Sequence, residues 1–336
     1  MKLLFELAKE HPTLPKDEIL SCLTAENISF TTVDVNENIV LIQTALSSDM
    51  IQKLAQRLSF TFYLDKILFS CRNTPDCIKK SAEQNDIPQQ GTIAIRYKNR
   101  SETADSKKIV EILGEHYTKN RVVDLEHPDI EIRVVITDNT VYCGIKIAEV
   151  KRSLFEQRKV QYRPFFSPIS LHPKLARALV NLSCIKEGDT VLDPFCGTGG
   201  ILLEAGLIGA QVIGSDIEEK MIQGCNQTLA YYNIKNQRLL WSDVGEINKQ
   251  INRPVDAVVT DFPYGKSTTT KGEDIEMLYC RAFQNISSLL KNDGLAVIGL
   301  SDKKMISLGE NYLTLIKTYE FKVHRSMTRY FAVYKK

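Results

Sequence analysis

The sequence has one tryptophan, five histidines and no apolar run near the roughly 18 residues that a membrane-spanning helix requires. Its first residues (Met1-Lys2-Leu3-Leu4-Phe5-Glu6) meet a charge after three apolar side chains, which argues against a secretory signal. A cytoplasmic protein with no membrane partner is expected. Cys-x-x-Cys pairs are absent from the eight cysteines, at 22, 71, 77, 143, 184, 196, 225 and 280. No histidine cluster completes a zinc-binding spacing, so neither a metal site nor a disulfide framework is expected. Charge of one sign is lacking too: 43 Lys and Arg face 41 Asp and Glu, a net +2 that supplies no global field for nucleic acid. There is no low-complexity tract and no tandem repeat.

What remains is an ordinary globular composition, 43% hydrophobic and 25% charged, over 336 residues. That length has room for about two domains. Two stretches are locally basic: Lys146 to Arg163 holds six basic residues against two acids, and Lys317 to Lys336 holds six Lys or Arg against one Glu. By themselves such runs read as solvated faces.

The first half reads as two small α+β units. A strand over Leu3–Leu7 precedes a helix over Lys16–Ala25, with Pro15 at its start and Asp17 and Glu18 at its positive end. Strands Ile28–Val35 and Ile39–Ala45 flank the turn Asn36-Glu37-Asn38, and Ser47-Ser48-Asp49 caps a helix reaching Leu58. With a strand near Phe62–Phe69, the order is that of a ferredoxin-like split βαβ unit. A second unit has helices over Asp76–Asn85 and Asp105–Thr118, a strand over Gly91–Tyr97, and a hairpin of Ile130–Thr137 with Thr140–Ile147. The basic linker then leads to the proline-marked Arg163-Pro164-Phe165-Phe166-Ser167-Pro168. Beyond residue 174 strands (190–195, 211–215, 237–241, 255–260, 295–300) alternate with helices (199–208, 218–232, 274–291), as in a doubly wound parallel sheet. An antiparallel pair, Glu320–His324 with Met327–Tyr334, ends the chain.

The most informative segment is Val191-Leu192-Asp193-Pro194-Phe195-Cys196-Gly197-Thr198-Gly199-Gly200, a buried strand turning through glycines into a helix. A dinucleotide turn wants a third glycine where Leu202 stands, and no Gly-Lys-Ser/Thr follows for a P-loop. S-adenosylmethionine has no pyrophosphate to cradle; it needs carboxylates for its ribose and amino group. Asp193, Asp216 and Asp243 follow three successive strands. Asp216 is placed for ribose hydroxyls, Asp243 for the adenine amine with Ile217 and Val244 as apolar contacts, and Asp193 for the methionine ammonium. One such aspartate is ordinarily a loop residue or a helix cap; three in succession after a glycine turn point to the cofactor.

After the fourth strand comes Asp261-Phe262-Pro263-Tyr264-Gly265. An exocyclic amine is a poor nucleophile because its lone pair is delocalised into the ring. A site for it needs acceptors for both N–H bonds. The Asp261 carboxylate and the Phe262 carbonyl supply them, Pro263 fixes the turn, Tyr264 offers a stacking face, and Asp261 is placed to take the proton.

These two motifs together resemble the amino-methylating class of S-adenosylmethionine-dependent methyltransferases. The stretch from Arg163 through His172-Pro173-Lys174 and Arg177 to Asn181 further resembles the archaeal tRNA (guanine(10)-N2)-methyltransferase family. The resemblance implies a Rossmann-like methyltransferase domain (166–336) behind a ferredoxin-like unit (1–70), a THUMP domain (71–148) that binds the 3′ end of tRNA, and a basic linker (149–165). It implies that Asp193, Gly197 and Gly199 line the methionine part of the cofactor, that Pro194, Cys196 and Thr198 also bind the cofactor, and that Phe166 and His172 lie in a segment closing over it. It also implies that Asp261 to Tyr264 act on the amine of guanosine 10. The family usually has proline where Phe262 stands; a backbone role survives that change, and the extent of methylation stays open. A monomer is expected. An N6-adenine DNA methyltransferase shares the Asp-x-Pro-Tyr motif, and a noncatalytic RNA-binding protein is the alternative of another class.

Overall fold

The first half forms the strands and helices read from its apolar and turn residues, but its strands share one sheet. The computed structural model describes residues 1–167, 170–264, 273–324 and 327–336. Pro168 and Gly265, named above, lie outside the described residues. In chain order come β1 (Lys2–Leu7), α1 (Leu14–Ala25), β2 (Phe30–Val35), β3 (Ile39–Thr44), α2 (Ser48–Arg57), β4 (Thr61–Arg72), α3 (Pro75–Glu83), β5 (Ile93–Asn99), α4 (Ser106–Tyr117), β6 (Ile130–Ile136) and β7 (Thr140–Glu149). The Asn36 side chain accepts from the Asn38 and Ile39 amides and closes the β2–β3 turn, and Asp105 caps α4 through the Lys108 amide. The second half contains α5 (Ser153–Gln157), α6 (Pro173–Leu182), β8 (Thr190–Asp193), α7 (Gly200–Gly206), β9 (Gln211–Asp216), α8 (Glu219–Tyr231), β10 (Gln237–Trp241), β11 (Val255–Asp261), α9 (Ile275–Leu289), β12 (Leu290–Leu300), α10 (Ile306–Glu310), β13 (Thr314–His324) and β14 (Met327–Lys335).

The chain divides into two units. One comprises Met1–Pro12, Ile28–Gln56 and Phe60–Lys151; the other comprises Thr13–Asn27, Arg57–Ser59 and Arg152–Lys336. In the first, seven strands form a single mixed sheet in the order β2-β3-β1-β4-β7-β6-β5. The long β4 joins its two halves, pairing with β1 and with β7. Even-numbered β6 residues, Ile132 and Val134 among them, pack on Ile78 of α3 and Ile109 and Leu113 of α4.

The second unit takes in α1, because of a buried polar network. The Glu18 carboxylate, fully buried, accepts from the Ser59 amide at 2.9 Å, the Ser59 hydroxyl at 2.6 Å and the Asn181 amide of α6 at 2.8 Å. A carboxylate out of water is tolerated only with such partners. The sheet order is β10-β9-β8-β11-β12-β14-β13. Its first five strands are parallel, and the central β8 and β11 are apolar on both faces (Val191 and Leu192 of β8, Val258 and Val259 of β11 are fully buried). The terminal hairpin starts at Thr314, six residues before the expected start, since β13 pairs with β14 along nearly its whole length. Asp274 caps α9 by accepting from the Glu276 and Met277 amides. Among the described residues no helix is long and apolar enough to cross a membrane.

Candidate active site

The strand order reverses at β8, which has β9 on one side and β11 on the other. Ligands in open α/β sheets bind outside the carboxyl ends of the strands at such a point. Asp193 ends β8, Asp216 ends β9 and Asp261 ends β11, while Asp243 lies two residues beyond β10. A cavity of about 430 Å³ opens among them. Its wall contains Asp193, Pro194, Cys196, Gly197, Thr198, Asp216, Ile217, Asp243, Val244 and the whole run Asp261, Phe262, Pro263 and Tyr264.

Three residues singled out from the sequence are placed elsewhere. Phe166 is 60% exposed, and His172 caps α6, its Nδ1 accepting from the Lys174 amide at 3.2 Å while Nε2 faces Glu156. Their segment reaches the cavity instead through Ser167, Ser170 and Leu171. Gly199 serves packing: its φ is +79°, and a Cβ there would stand 2.6 Å from Cys225 Sγ. Gly199→Ala is therefore expected to cost roughly 1–3 kcal/mol of stability. Urea unfolding measures it, and an unchanged midpoint would mean that α8 gives way freely.

The carboxylates differ in their surroundings. Burial pushes Asp193 up to about 7, against a hydrogen bond from the Phe195 amide at 3.1 Å. Asp216 is also raised by burial, although the Glu218 and Gly197 amides donate to it at 2.9 and 3.0 Å. Gly197 (φ +49°) needs no side chain for that turn, and a Cβ there would meet no protein atom within 4 Å. Asp243 accepts from the Gly245 amide at 2.7 Å and is gripped by Arg281 of α9, which also holds Glu273. Burial raises Asp261 as well, opposed by Arg329 of β14, whose Nη1 stands 3.4 Å from Oδ2; the Tyr264 hydroxyl donates to Oδ1. The Arg329 guanidinium lies 5.2 Å from the Tyr264 ring centre. The Phe262 ring is buried against Phe195, Tyr279 and Phe283.

Arg281 and Arg329 escape a reading of the sequence. Arg281 lies mid-helix and Arg329 in a strand 68 positions past Asp261. The one hint of Arg329 is the basic character of the C-terminal run.

Comparison with known proteins follows the same outline. The family model described as an RMKL-like methyltransferase domain matches residues 160–330. A DNA methylase model matches residues 58–227, ending before Asp261. A protein of Methanothermobacter thermautotrophicus named tRNA (guanine(10)-N2)-dimethyltransferase is 33% identical over 98% of both chains. One of the same name from Methanocaldococcus jannaschii is 34% identical over 99% of both. The crystal structure of TrmN from Thermus thermophilus superposes over 100% of both chains with a TM-score of 0.60 at 20% identity, a likeness of fold. With full-length relatives above 30% identity and a methyltransferase model across half its length, the chain belongs to the tRNA (guanine(10)-N2)-dimethyltransferase family.

Proposed function

We propose that the protein transfers methyl groups from S-adenosylmethionine to the N2 amine of guanosine 10 in tRNA, giving N2-methylguanosine and then N2,N2-dimethylguanosine. The observation that carries this reading is the meeting of two motifs at one cavity: the acid-rimmed glycine turn and Asp261 to Tyr264 on the two strands flanking the switch point. The cofactor fits what is there. The Gly197 backbone leaves open space, Asp216 is held by two amides and keeps lone pairs for ribose hydroxyls, and Asp193 is a buried carboxylate suited to an ammonium. Asp243, held in place by Arg281, faces the adenine amine. When bound, S-adenosylmethionine supplies an electrophilic methyl group on a sulfonium.

The chain's own residues then act on the base. Asp261 and the Phe262 carbonyl accept the two N–H bonds of the amine and turn its lone pair outward. Pro263 fixes that carbonyl, and burial of the Phe262 ring in the core explains why phenylalanine serves in a position whose role is backbone. Tyr264 stacks on the base. Burial raises the basicity of Asp261, which takes the amine proton on a carboxylate oxygen. The target nucleotide must leave its stack to reach this site. We assign residues 1–70 to a ferredoxin-like unit and 71–148 to a THUMP domain that grips the 3′ end of tRNA, with the linker 149–165 between them and the methyltransferase domain 166–336.

The test is methyl transfer to unmodified tRNA transcripts, with nucleoside digestion and mass spectrometry. N2-methylated guanosine at position 10 is expected. Transfer to adenine in duplex DNA, with tRNA untouched, would replace this reading by the DNA methylase one. Absence of cofactor binding would favour a noncatalytic RNA-binding protein.

Arg329 has a role in the same reaction: it opposes the upward shift of Asp261. Arg329→Met should move the acidic limb of the single-turnover pH–rate profile upward by roughly one unit, with Arg329→Lys recovering part of it. A limb that stays in place would reduce Arg329 to packing.

A further inference from the structure

The parallel sheet has a second hollow, at the opposite end of its strands from the carboxylates. Thr190 begins β8, Gln211 begins β9 and Gln237 begins β10, and all three line a cleft of about 630 Å³. The seven residues of β11 separate that level from Asp261, about 20 Å at 3.3 Å per residue. Lys235, Arg238 and Arg253 complete the polar lining with two asparagines, and no carboxylate stands among its described wall residues. Lys235 and Arg253 are exposed and have no acidic partner among the described residues. Arg238 donates to the Gln250 carbonyl at 2.7 Å. Asp256, beside the cleft, is already taken by the Thr190 amide at 2.9 Å and by Lys291. Gln237 offers the opposite chemistry: its amide nitrogen donates to Asn226 at 3.1 Å, while its Oε1 is buried with no hydrogen-bond partner among the described residues.

Three cations around one concave face repel one another unless an anion answers them. Lys235 follows the carboxyl end of α8, which closes at Tyr231, but a helix end carries only about half a charge. The rest of the positive charge is unanswered. A ligand that satisfied the whole cleft would bring anionic oxygens for the cations and a hydrogen-bond donor for Gln237. RNA carries both along its backbone, a phosphate and a 2′-hydroxyl at every step. The cations stand on exposed side chains in two separate segments, which suits a continuous backbone better than one enclosed phosphate.

We infer that the cleft of Lys235, Gln237, Arg238 and Arg253 is a second contact for the substrate tRNA, holding its sugar-phosphate backbone at the amino ends of the strands. This rests on the tRNA reading above. The contact carries no base readout; it fixes the position of the RNA on the methyltransferase unit while the target guanosine occupies the other end of the sheet.

Binding of an unmodified tRNA transcript to the full-length protein, measured from about 50 to 200 mM salt, tests it. The double variant Lys235→Gln, Arg253→Gln should weaken tRNA by roughly 10- to 100-fold at the lower salt and reduce the slope of log affinity against log salt by about one to two. S-adenosylhomocysteine affinity should stay the same, which shows that the variant is folded. Should the double variant lose S-adenosylhomocysteine as well, the single exposed change Arg253→Glu takes its place with the same expectation. Exchanging the two cations, Lys235→Arg with Arg253→Lys, should keep most of the affinity. Unchanged tRNA affinity and salt slope would overturn the inference and leave the tRNA reading standing. Calorimetry with ATP covers the other source of phosphate: ATP binding that the double variant abolishes, with tRNA binding untouched, would make the cleft a small-anion site and overturn the RNA assignment. If the unaltered protein binds S-adenosylhomocysteine but no tRNA, the tRNA reading falls and this contact with it.

Discussion

Replacing Asp261 by asparagine is expected to lower methyl transfer to tRNA by roughly 100- to 10,000-fold while cofactor affinity is retained. The amide has nearly the shape of the carboxylate but one acceptor atom in place of two, and it cannot take a proton near neutrality. In the structure one oxygen receives the Tyr264 hydroxyl and the other faces Arg329. An asparagine must either turn its NH₂ toward the guanidinium or present it where the substrate amine needs an acceptor. Stability should not suffer, because burial already raises the carboxyl pKa and the ionised form is the strained one. Single-turnover kinetics with S-adenosylhomocysteine binding as the control measures both parts. A rate within tenfold of the parent would mean that another group receives the proton.

Asp193→Asn should produce opposite effects on stability and on binding. The folded carboxyl titrates at about 7 against an ordinary 3.8, with burial as the main cause. Between those values the folded state keeps a proton that the unfolded chain has released. Raising the pH through that window therefore lowers the stability of the ligand-free protein, and the loss is complete above the folded pKa. Its size is on the order of 2–4 kcal/mol. Asparagine removes the titration, so the variant should exceed the parent in stability above pH 7 and match it more closely near pH 4. Asp65 in the other unit is also raised to about 7 by burial and contributes a slope of the same sign to both proteins. The readout is thus the difference between variant and parent unfolding free energies against pH. A flat difference curve would show that Asp193 is better solvated than its burial implies. The same substitution should weaken S-adenosylhomocysteine by roughly 10- to 100-fold, since a charged partner of the ammonium is lost.

Much of this site is legible without coordinates because its parts are local. Strand, glycine turn and helix are contiguous from Val191 to Gly200, so hydrophobic run and backbone freedom can be read together. Each aspartate is recognisable because it sits where an apolar strand ends. Asp261 to Tyr264 are four neighbours in sequence and in space. Phe166 and His172 were harder to place: the segment before α6 touches the cavity, but which of its side chains turn inward depends on the packing of α6 and α7 rather than on any periodicity. Gly199 and Gly197 look alike in sequence and differ in role, because α8 brings Cys225 against one and nothing against the other.

The sequence by itself determined the alternation of the second unit, the carboxylates at its strand ends and the acceptor motif after the fourth strand, since these follow from short-range pattern and spacing. Tertiary structure alone decided that α1 joins the catalytic unit through Glu18 and that β14 inserts beside β12 and carries Arg329 to Asp261. It also decided that Arg281 grips Asp243. Each of these joins residues far apart in the chain, and their meeting is set by how strands pair and how buried charges find partners, which no local pattern encodes.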